Sequence, residues 1–338
     1  MGASISRFLG SLATALVAAS AAAADEPSIE AQSRALARAN DSVLAVRTQA
    51  IEDARSAATL GRLRQGSGVV IAADGLVLTI GYLILEAEQV DLFTDDERQI
   101  PARVLGYDVA TGFGLVQALA PLPMQPALLG SAAALRADEP LLVVSGGEEG
   151  SVGPARLVSR RPFSGYWEYH IDGALFTSPP RTDHSGAGLF NLQGELVGIG
   201  SLVVNDALGP DAGRVPGNMF VPIDLLKPIL ADLRKHGSSG ASARAWLGIN
   251  CIENGGEIRV VRVADDSPAD VAGLLPGDRI VRIDGAEVAR LEQLWKRLWA
   301  GTSAEREVTL DIERDAERQT VKLQSVDRAK TLRHARGI

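Results

Sequence analysis

The chain has 338 residues, roughly two to three times the usual domain length, so two domains are the default organisation. Its 46% hydrophobic and 22% charged residues exclude disordered, collagen-like and disulfide-scaffold proteins, and its single cysteine, Cys251, excludes an internal disulfide and a cysteine-ligated metal site. A formal net charge of −8 argues against nucleic-acid binding, which needs a basic surplus to neutralise phosphates.

Residues 1–24 read as an export signal: Arg7 supplies the positive end, Phe8 to Ala18 an apolar stretch, and Ala22-Ala23-Ala24 a small-residue cleavage site. The stretch is too short and alanine-rich for a membrane span, and no later stretch is long and apolar enough for one. A soluble, exported, periplasmic protein is expected. Residues 25–40 carry the spacing of a helix. From residue 41 to 237 the texture is one of short Val/Leu/Ile runs, such as 68–72, 76–80, 89–93, 141–145 and 195–204, separated by turn signals at Asp74-Gly75 and Gln193-Gly194. So many short strands predict a barrel or sandwich, a mainly β fold. A helix opened by Pro222, with an apolar stripe of Ile223, Leu226, Ile229, Leu230 and Leu233, is expected to close this region at Gly237.

The small, polar residues 238–244 then read as a flexible interdomain linker. Residues 245–325 form a second unit, with a short helix capped by Ser267, a hairpin at Asp284-Gly285 and a longer helix over 289–300. The last segment, 326–338, is locally basic (Arg328, Lys330, Arg333, Arg336) and reads as a solvated tail.

The segments 66–79, 103–117 and 183–201, with the closing Asn218 to Leu230, resemble the HtrA (Deg) family. The opening Ala245-Trp246-Leu247-Gly248-Ile249 and the run from Ser267 to Gly285 are similar to an HtrA-type PDZ domain. The resemblance covers residues 41–325 and implies a trypsin-like double six-stranded β-barrel with a serine-endopeptidase ancestry, followed by an α+β PDZ domain.

Measured against the family motifs, the catalytic set is incomplete. A serine nucleophile needs a histidine to take its proton and a carboxylate to orient that histidine. Ser185 holds the nucleophile position, but the family histidine position is Tyr82 and the family aspartate position is Gly112. A phenol with an ordinary pKa of about 10 is a poor acceptor of a serine proton. The oxyanion segment implied by the resemblance is Asp183-His184-Ser185, where Asp183 replaces a glycine and its carboxylate is expected to oppose a developing oxyanion. Of the four histidines, His170 reads as a strand residue with a local partner, His236 as a helix C-terminal residue, His334 as part of the tail, and His184 as a neighbour whose side chain diverges from Ser185.

A PDZ domain adds a peptide as a strand at a sheet edge and catches its terminal carboxylate on backbone amides. The resemblance places that loop at Trp246-Leu247-Gly248-Ile249 and the other groove wall on the helix with Leu291 and Trp295; Trp246 and Trp295 are expected near the ligand. Cys251 reads as a buried strand residue. No metal or organic cofactor is implied. The leading reading is a proteolytically inactive envelope protein that binds unfolded or C-terminally exposed polypeptides, as adaptor or regulator in quality control. Its partners would include an active HtrA-type protease or further copies of itself. An active serine endopeptidase with an unorthodox base and a structural platform in an envelope complex remain the alternatives.

Overall fold

The computed structural model describes residues 29–147, 150–210, 212–301 and 303–333. The expected signal segment, residues 25–28 of the helical segment, and the tail from His334 onward lie outside them. The chain starts with α1 (Ile29–Asn40), which buries Ala35 and Ala39, the former against the turn at Gly194.

Six antiparallel strands follow: β1 (Val43–Ala50), β2 (Leu63–Ala72), β3 (Leu76–Ile80), β4 (Ala87–Phe93), β5 (Gln99–Tyr107) and β6 (Phe113–Ala118), with the short α2 (Ala57–Leu60) between the first two. They close into a barrel in the order β1-β2-β3-β6-β5-β4. Closure removes the open strand edges that invite association. Every residue of β3 is buried; it lies at the junction with the second barrel, so neither face meets solvent.

The second barrel contains β7 (Leu128–Leu129), β8 (Pro140–Val144), β9 (Val152–Gly165), β10 (Tyr169–Ser178), β11 (Gly188–Phe190), β12 (Glu195–Val204) and β13 (Gly217–Pro222). Six of these run β11-β8-β9-β10-β13-β12, the β11–β12 pairing completes the ring, and β7 adds to β12 in parallel. One continuous apolar core spans both barrels, from Leu44 and Phe113 to Phe176, Phe190 and Leu233.

The closing helix departs from its sequence reading. Residues Ile223–Leu225 form a single 3-10 turn, and the α-helix, α3, runs only over Leu230–His236, ended by Gly237 in the left-handed conformation. Pro228 accounts for the gap: it lacks an N–H and its ring clashes with the carbonyl four residues back.

The linker departs too. Ser239 and Ser242 are buried, and their hydroxyls donate to Asp108 Oδ1 at 2.5 and 2.8 Å. Hydroxyls that suit a flexible segment in water serve here as ties to a buried carboxylate, so the segment is pinned.

The second unit has β15 (Ile249–Asn254), β16 (Glu257–Val263), β17 (Arg279–Ile283), β19 (Glu307–Arg314) and β20 (Glu317–Gln324) in sequential antiparallel order, with β18 (Ala286–Glu287) on β17. A separate pair joins β14 (Ala245–Trp246) to β21 (Val326–Asp327). Ser267 caps α4 (Pro268–Val271), its hydroxyl accepting from Asp270 N. The longer helix, α5, covers Leu291–Leu298 and buries Leu291, Leu294, Trp295 and Leu298 in this unit's own core.

The tail is not free in water. Residues Arg328–Thr331 form a 3-10 turn, and Arg333 ties them to the first barrel: its amide donates to Glu86 Oε1 at 2.9 Å and its guanidinium pairs with Asp53 at 2.7 Å.

Candidate functional site

Ser185 sits on the turn between β10 and β11, at the junction of the barrels, where its carbonyl accepts from Ser67 N of β2 at 2.8 Å. Tyr82 faces it from a 3-10 turn, Gly81–Leu83, that follows β3. That turn is clamped through its carbonyls: Thr48 donates to Leu83 O at 2.5 Å, and buried Arg64 donates to Tyr82 O at 2.9 Å and Leu85 O at 2.7 Å.

The Tyr82 hydroxyl lies 2.8 Å from Ser185 Oγ and 2.9 Å from the Ser201 carbonyl. A carbonyl only accepts, so the single phenolic proton serves Ser201, and the Ser185 hydroxyl is left to a neutral phenol oxygen. Burial pushes the Tyr82 phenol up to about 12, against the pull of the Ser185 hydrogen bond. Neutral phenol oxygen takes no proton from a serine at physiological pH. The side chain that faces Ser185 is thus a phenol that holds its hydroxyl and stays neutral.

Gly112 has φ +83°, and a Cβ built on it would lie 3.3 Å from Tyr169 Oη. Tyr169 is buried and donates to the Thr111 carbonyl at 2.7 Å. The space an orienting carboxylate would enter therefore carries a phenol, and the backbone there disfavours any side chain. The nearest acid in sequence, Asp108, is fully committed: Oδ2 accepts from Thr111 N and Oγ1, and Oδ1 from the two linker serines.

Asp183 corrects an expectation: its carboxylate is neutralised by Arg181, whose Nε reaches Oδ1 at 3.0 Å and whose Nη2 reaches Oδ2 at 2.5 Å. Ser145 and Ser151 also donate to it. Burial works upward on this carboxyl, but the hydrogen bonds from Arg181, Ser145 and Ser151 together hold it below the usual range. The repulsion expected of a bare charge is therefore largely cancelled.

Among the described residues no histidine hydrogen-bonds Ser185. His184 Nδ1 donates to the Arg181 carbonyl at 3.1 Å. His170 is buried between Ser164 Oγ, 2.9 Å from Nδ1, and Asp172 Oδ1, 3.2 Å from Nε2; burial lowers the pKa of both histidines. His170, Asp172 and Glu292 cluster, but Lys296 already bridges the two acids at 3.0 and 2.8 Å, so an ammonium holds the place a cation would take.

In the second unit, the loop from Trp246 to Ile249 projects consecutive amides into one spot. Leu247, Gly248 and Ile249 N–H groups all donate to the carboxylate of Glu168, at 3.1, 2.7 and 3.0 Å. Gly248 has φ +88°, and a Cβ there would lie 2.2 Å from Ser267 Cβ. Only glycine closes the nest at this point.

Glu168 lies between β9 and β10, in the second barrel. Burial pushes its carboxyl up to about 7, although the three amides pull the other way. Its neighbours run along the edge of β15: Trp167 bridges Asn250 in antiparallel register, and Cys251 N donates to Tyr166 O at 2.6 Å. Trp295 of α5 donates its indole N–H to Gly165 O at 3.1 Å.

Of the residues expected near a ligand, Trp295, Leu247, Gly248 and Ile249 meet this segment. Leu291 packs in the core, and Trp246 instead lies beneath Arg328, whose Cζ is 4.9 Å from the ring centroid. Cys251 is fully buried, and burial, with the nearby Glu168 charge, raises its thiol pKa. Sequence reading missed Glu168, Arg181, Tyr169 and the clamp at Arg64. A lone acid inside the aromatic run Tyr166 to Tyr169 was the one available signal.

Two antiparallel barrels with a serine at their junction, followed by a small unit with an amide nest at its sheet edge, define a trypsin-like peptidase fold joined to a PDZ domain. Residues 66–199 match the trypsin-like peptidase domain and residues 245–324 the PDZ domain. The chain is 28% identical over 244 residues to a probable periplasmic serine endoprotease DegP-like of Hahella chejuensis, covering 68% of this chain and 50% of that one. It is 27% identical over 268 residues to the putative protease Do-like 14 of Arabidopsis thaliana, covering 69% and 60%.

The chain thus spans between half and three fifths of the length of these relatives. Among solved structures, the HtrA-type protease AlgW with decapeptide superposes with a TM-score of 0.54 at 18% identity, covering 88% of this chain and 98% of that one. The serine endoprotease from Yersinia pestis gives 0.53 at 20% identity, covering 90% and 99%. These two likenesses are of fold. The ordered pair of domains and the similarity to DegP-like proteins support an HtrA-type chain.

Proposed function

We propose that this HtrA-type chain binds polypeptides in the cell envelope without cleaving them, as an adaptor or regulator in protein quality control. The observation that carries this reading is the Tyr82–Ser185 contact at 2.8 Å: the position of the general base holds a phenol that stays neutral. Gly112 supplies no orienting group, and among the described residues Asp108, His170 and His184 are each hydrogen-bonded elsewhere. Loss of triad members costs a serine peptidase on the order of a million-fold in turnover.

Binding needs none of those groups. The amide nest at Leu247–Ile249 and the edge of β15 supply the chemistry that captures a peptide carboxylate and an added strand. The peptide bound to AlgW in its solved complex supports the same use here. Placement in the periplasm rests on the bacterial relatives' names and on residues 1–24. Unfolded or C-terminally exposed polypeptides are the ligands of this reading, with an active HtrA-type protease or further copies of the chain as partners in regulation.

The test is to incubate the full chain with a fluorophosphonate probe and with unfolded casein, beside Ser185→Ala. Background labelling and cleavage in both are expected. Labelling of the unaltered chain that disappears in Ser185→Ala overturns the reading.

A further inference from the structure

We infer that the PDZ groove of this protein is occupied by its own residues Tyr166 to Glu168, with the Glu168 side chain standing in for a peptide's terminal carboxylate, so that external C-termini bind only by displacing it. This rests on the peptide-binding reading above and adds how that site is regulated.

Three independent contacts coincide at one place. The Glu168 carboxylate takes all three nest amides, within 3.1 Å. Tyr166 and Trp167 lie antiparallel along β15, one bonded to Cys251 and the other bridged to Asn250. The segment therefore runs toward the nest with the polarity of a peptide ending there, which is the geometry of strand addition. Trp295, on the opposite wall, bonds the Gly165 carbonyl. Main chain, carboxylate and far wall are all engaged by one segment, so a second peptide has no free donors at the nest.

The occupant is attached at both ends to the second barrel, which keeps its local concentration high. It is also removable. Tyr166 is 57% exposed, and the segment forms a loop between two strands, without ladder partners in its own barrel. Apparent affinity for an external peptide is then the intrinsic affinity scaled by the fraction of chains whose groove is open. Removing the Glu168 carboxylate raises that fraction. The next residue, Tyr169, rests on Thr111 beside Gly112, so the segment that leaves the groove is continuous with the packing of the first site.

The experiment uses the full chain and a fluorescent decapeptide ending in Tyr, Trp and Val with a free carboxylate, beside its amidated form. Binding is measured by anisotropy for the unaltered protein, Glu168→Ala, the milder Glu168→Gln, and Asp172→Asn as a neighbouring charge outside the nest. Hydrogen exchange of the Leu247–Ile249 amides is followed without peptide in the same proteins. Expected are at least tenfold tighter binding of the free-carboxylate peptide by Glu168→Ala, a smaller gain for Glu168→Gln, no change for Asp172→Asn, and faster exchange of the nest amides once Glu168 is altered.

Equal peptide affinity in the unaltered protein and both Glu168 variants overturns self-occupation. So does unchanged amide exchange. Failure of the peptide to bind any form counts against the peptide-binding reading itself, while the exchange measurement still decides whether Glu168 fills the nest.

Discussion

The two sites of this chain invite comparison, because each is filled from within by a side chain of the same protein. At the barrel junction, Tyr82 bonds Ser185; at the amide nest of the PDZ unit, the Glu168 carboxylate takes the N–H groups of Leu247, Gly248 and Ile249. The fillings differ in what holds them. Tyr82 extends from a turn clamped by Thr48 and Arg64 directly after a fully buried strand, so withdrawing it means breaking the first barrel. Glu168 lies on a loop that also carries the exposed Tyr166, so withdrawing it costs contacts but no strand. On the function proposed above, a site filled from a clamped turn stays closed to catalysis, whereas one covered by a loop can be uncovered.

The largest effect that would break the comparison is catalytic. Restoring Tyr82→His with Gly112→Asp is expected to leave casein cleavage near background, on the order of a million-fold below an intact triad, because the new carboxylate must share space with Tyr169 and adopt φ near +83°. Adding Tyr169→Phe relieves part of that crowding; measurable, probe-sensitive cleavage in the triple variant but not the double one would assign the block to Tyr169. The Gly112→Asp change alone should lower stability by about 1–2 kcal/mol, read by urea denaturation.

Next in size is Gly248→Ala. Its Cβ would press on Ser267 Cβ at 2.2 Å from a left-handed backbone, so loss of the nest geometry, abolished peptide binding and a destabilisation of about 2 kcal/mol are expected in the same preparations.

A smaller effect tests the electrostatics of the turn before Ser185. Arg181→Ala leaves Asp183 without its guanidinium, and a cost of about 1–2 kcal/mol is expected after allowance for partial exposure. The pair's contribution has a definite sign with pH. The Asp183 carboxyl is held below its usual value, so the stability it adds is present at neutral pH and fades as pH falls through its folded pKa; the difference between unaltered protein and variant should narrow below about pH 4.

The smallest effect concerns Tyr82→Phe, worth about 1 kcal/mol for its hydrogen bonds. Because the phenol is pushed up to about 12, it remains protonated where an ordinary tyrosine is half ionised. Fluorophosphonate labelling of Ser185 should therefore stay flat between pH 7 and 10, and labelling that climbs with pH would identify Tyr82 as a working base.

Much of the architecture was legible in the residues. Alternating short apolar runs and the hairpin signals at Asp74-Gly75 and Asp284-Gly285 report local physics, and the helix cap at Ser267 obeys the same rules in the structure. The serine without a histidine was legible too, since Tyr82 and Gly112 are identities at motif positions. The closing helix is shorter than its apolar stripe because Pro228 interrupts it. The linker and tail misled because composition describes how a segment behaves in water, whereas Asp108, Asp53 and Glu86 bind these segments from residues far away in the chain.

By itself, the sequence determined which chemical groups exist: a serine, a phenol and no carboxylate at Gly112, and an amide loop made possible by Gly248. Only the tertiary structure decided which of them meet. That Tyr82 reaches Ser185 across 103 positions, and that Glu168 crosses about 80 to reach the nest, follows from how the barrels and the PDZ domain pack. Hydrogen bonds and charge pairs form between groups a few ångströms apart, and separation along the chain carries no information about that distance until the core is closed.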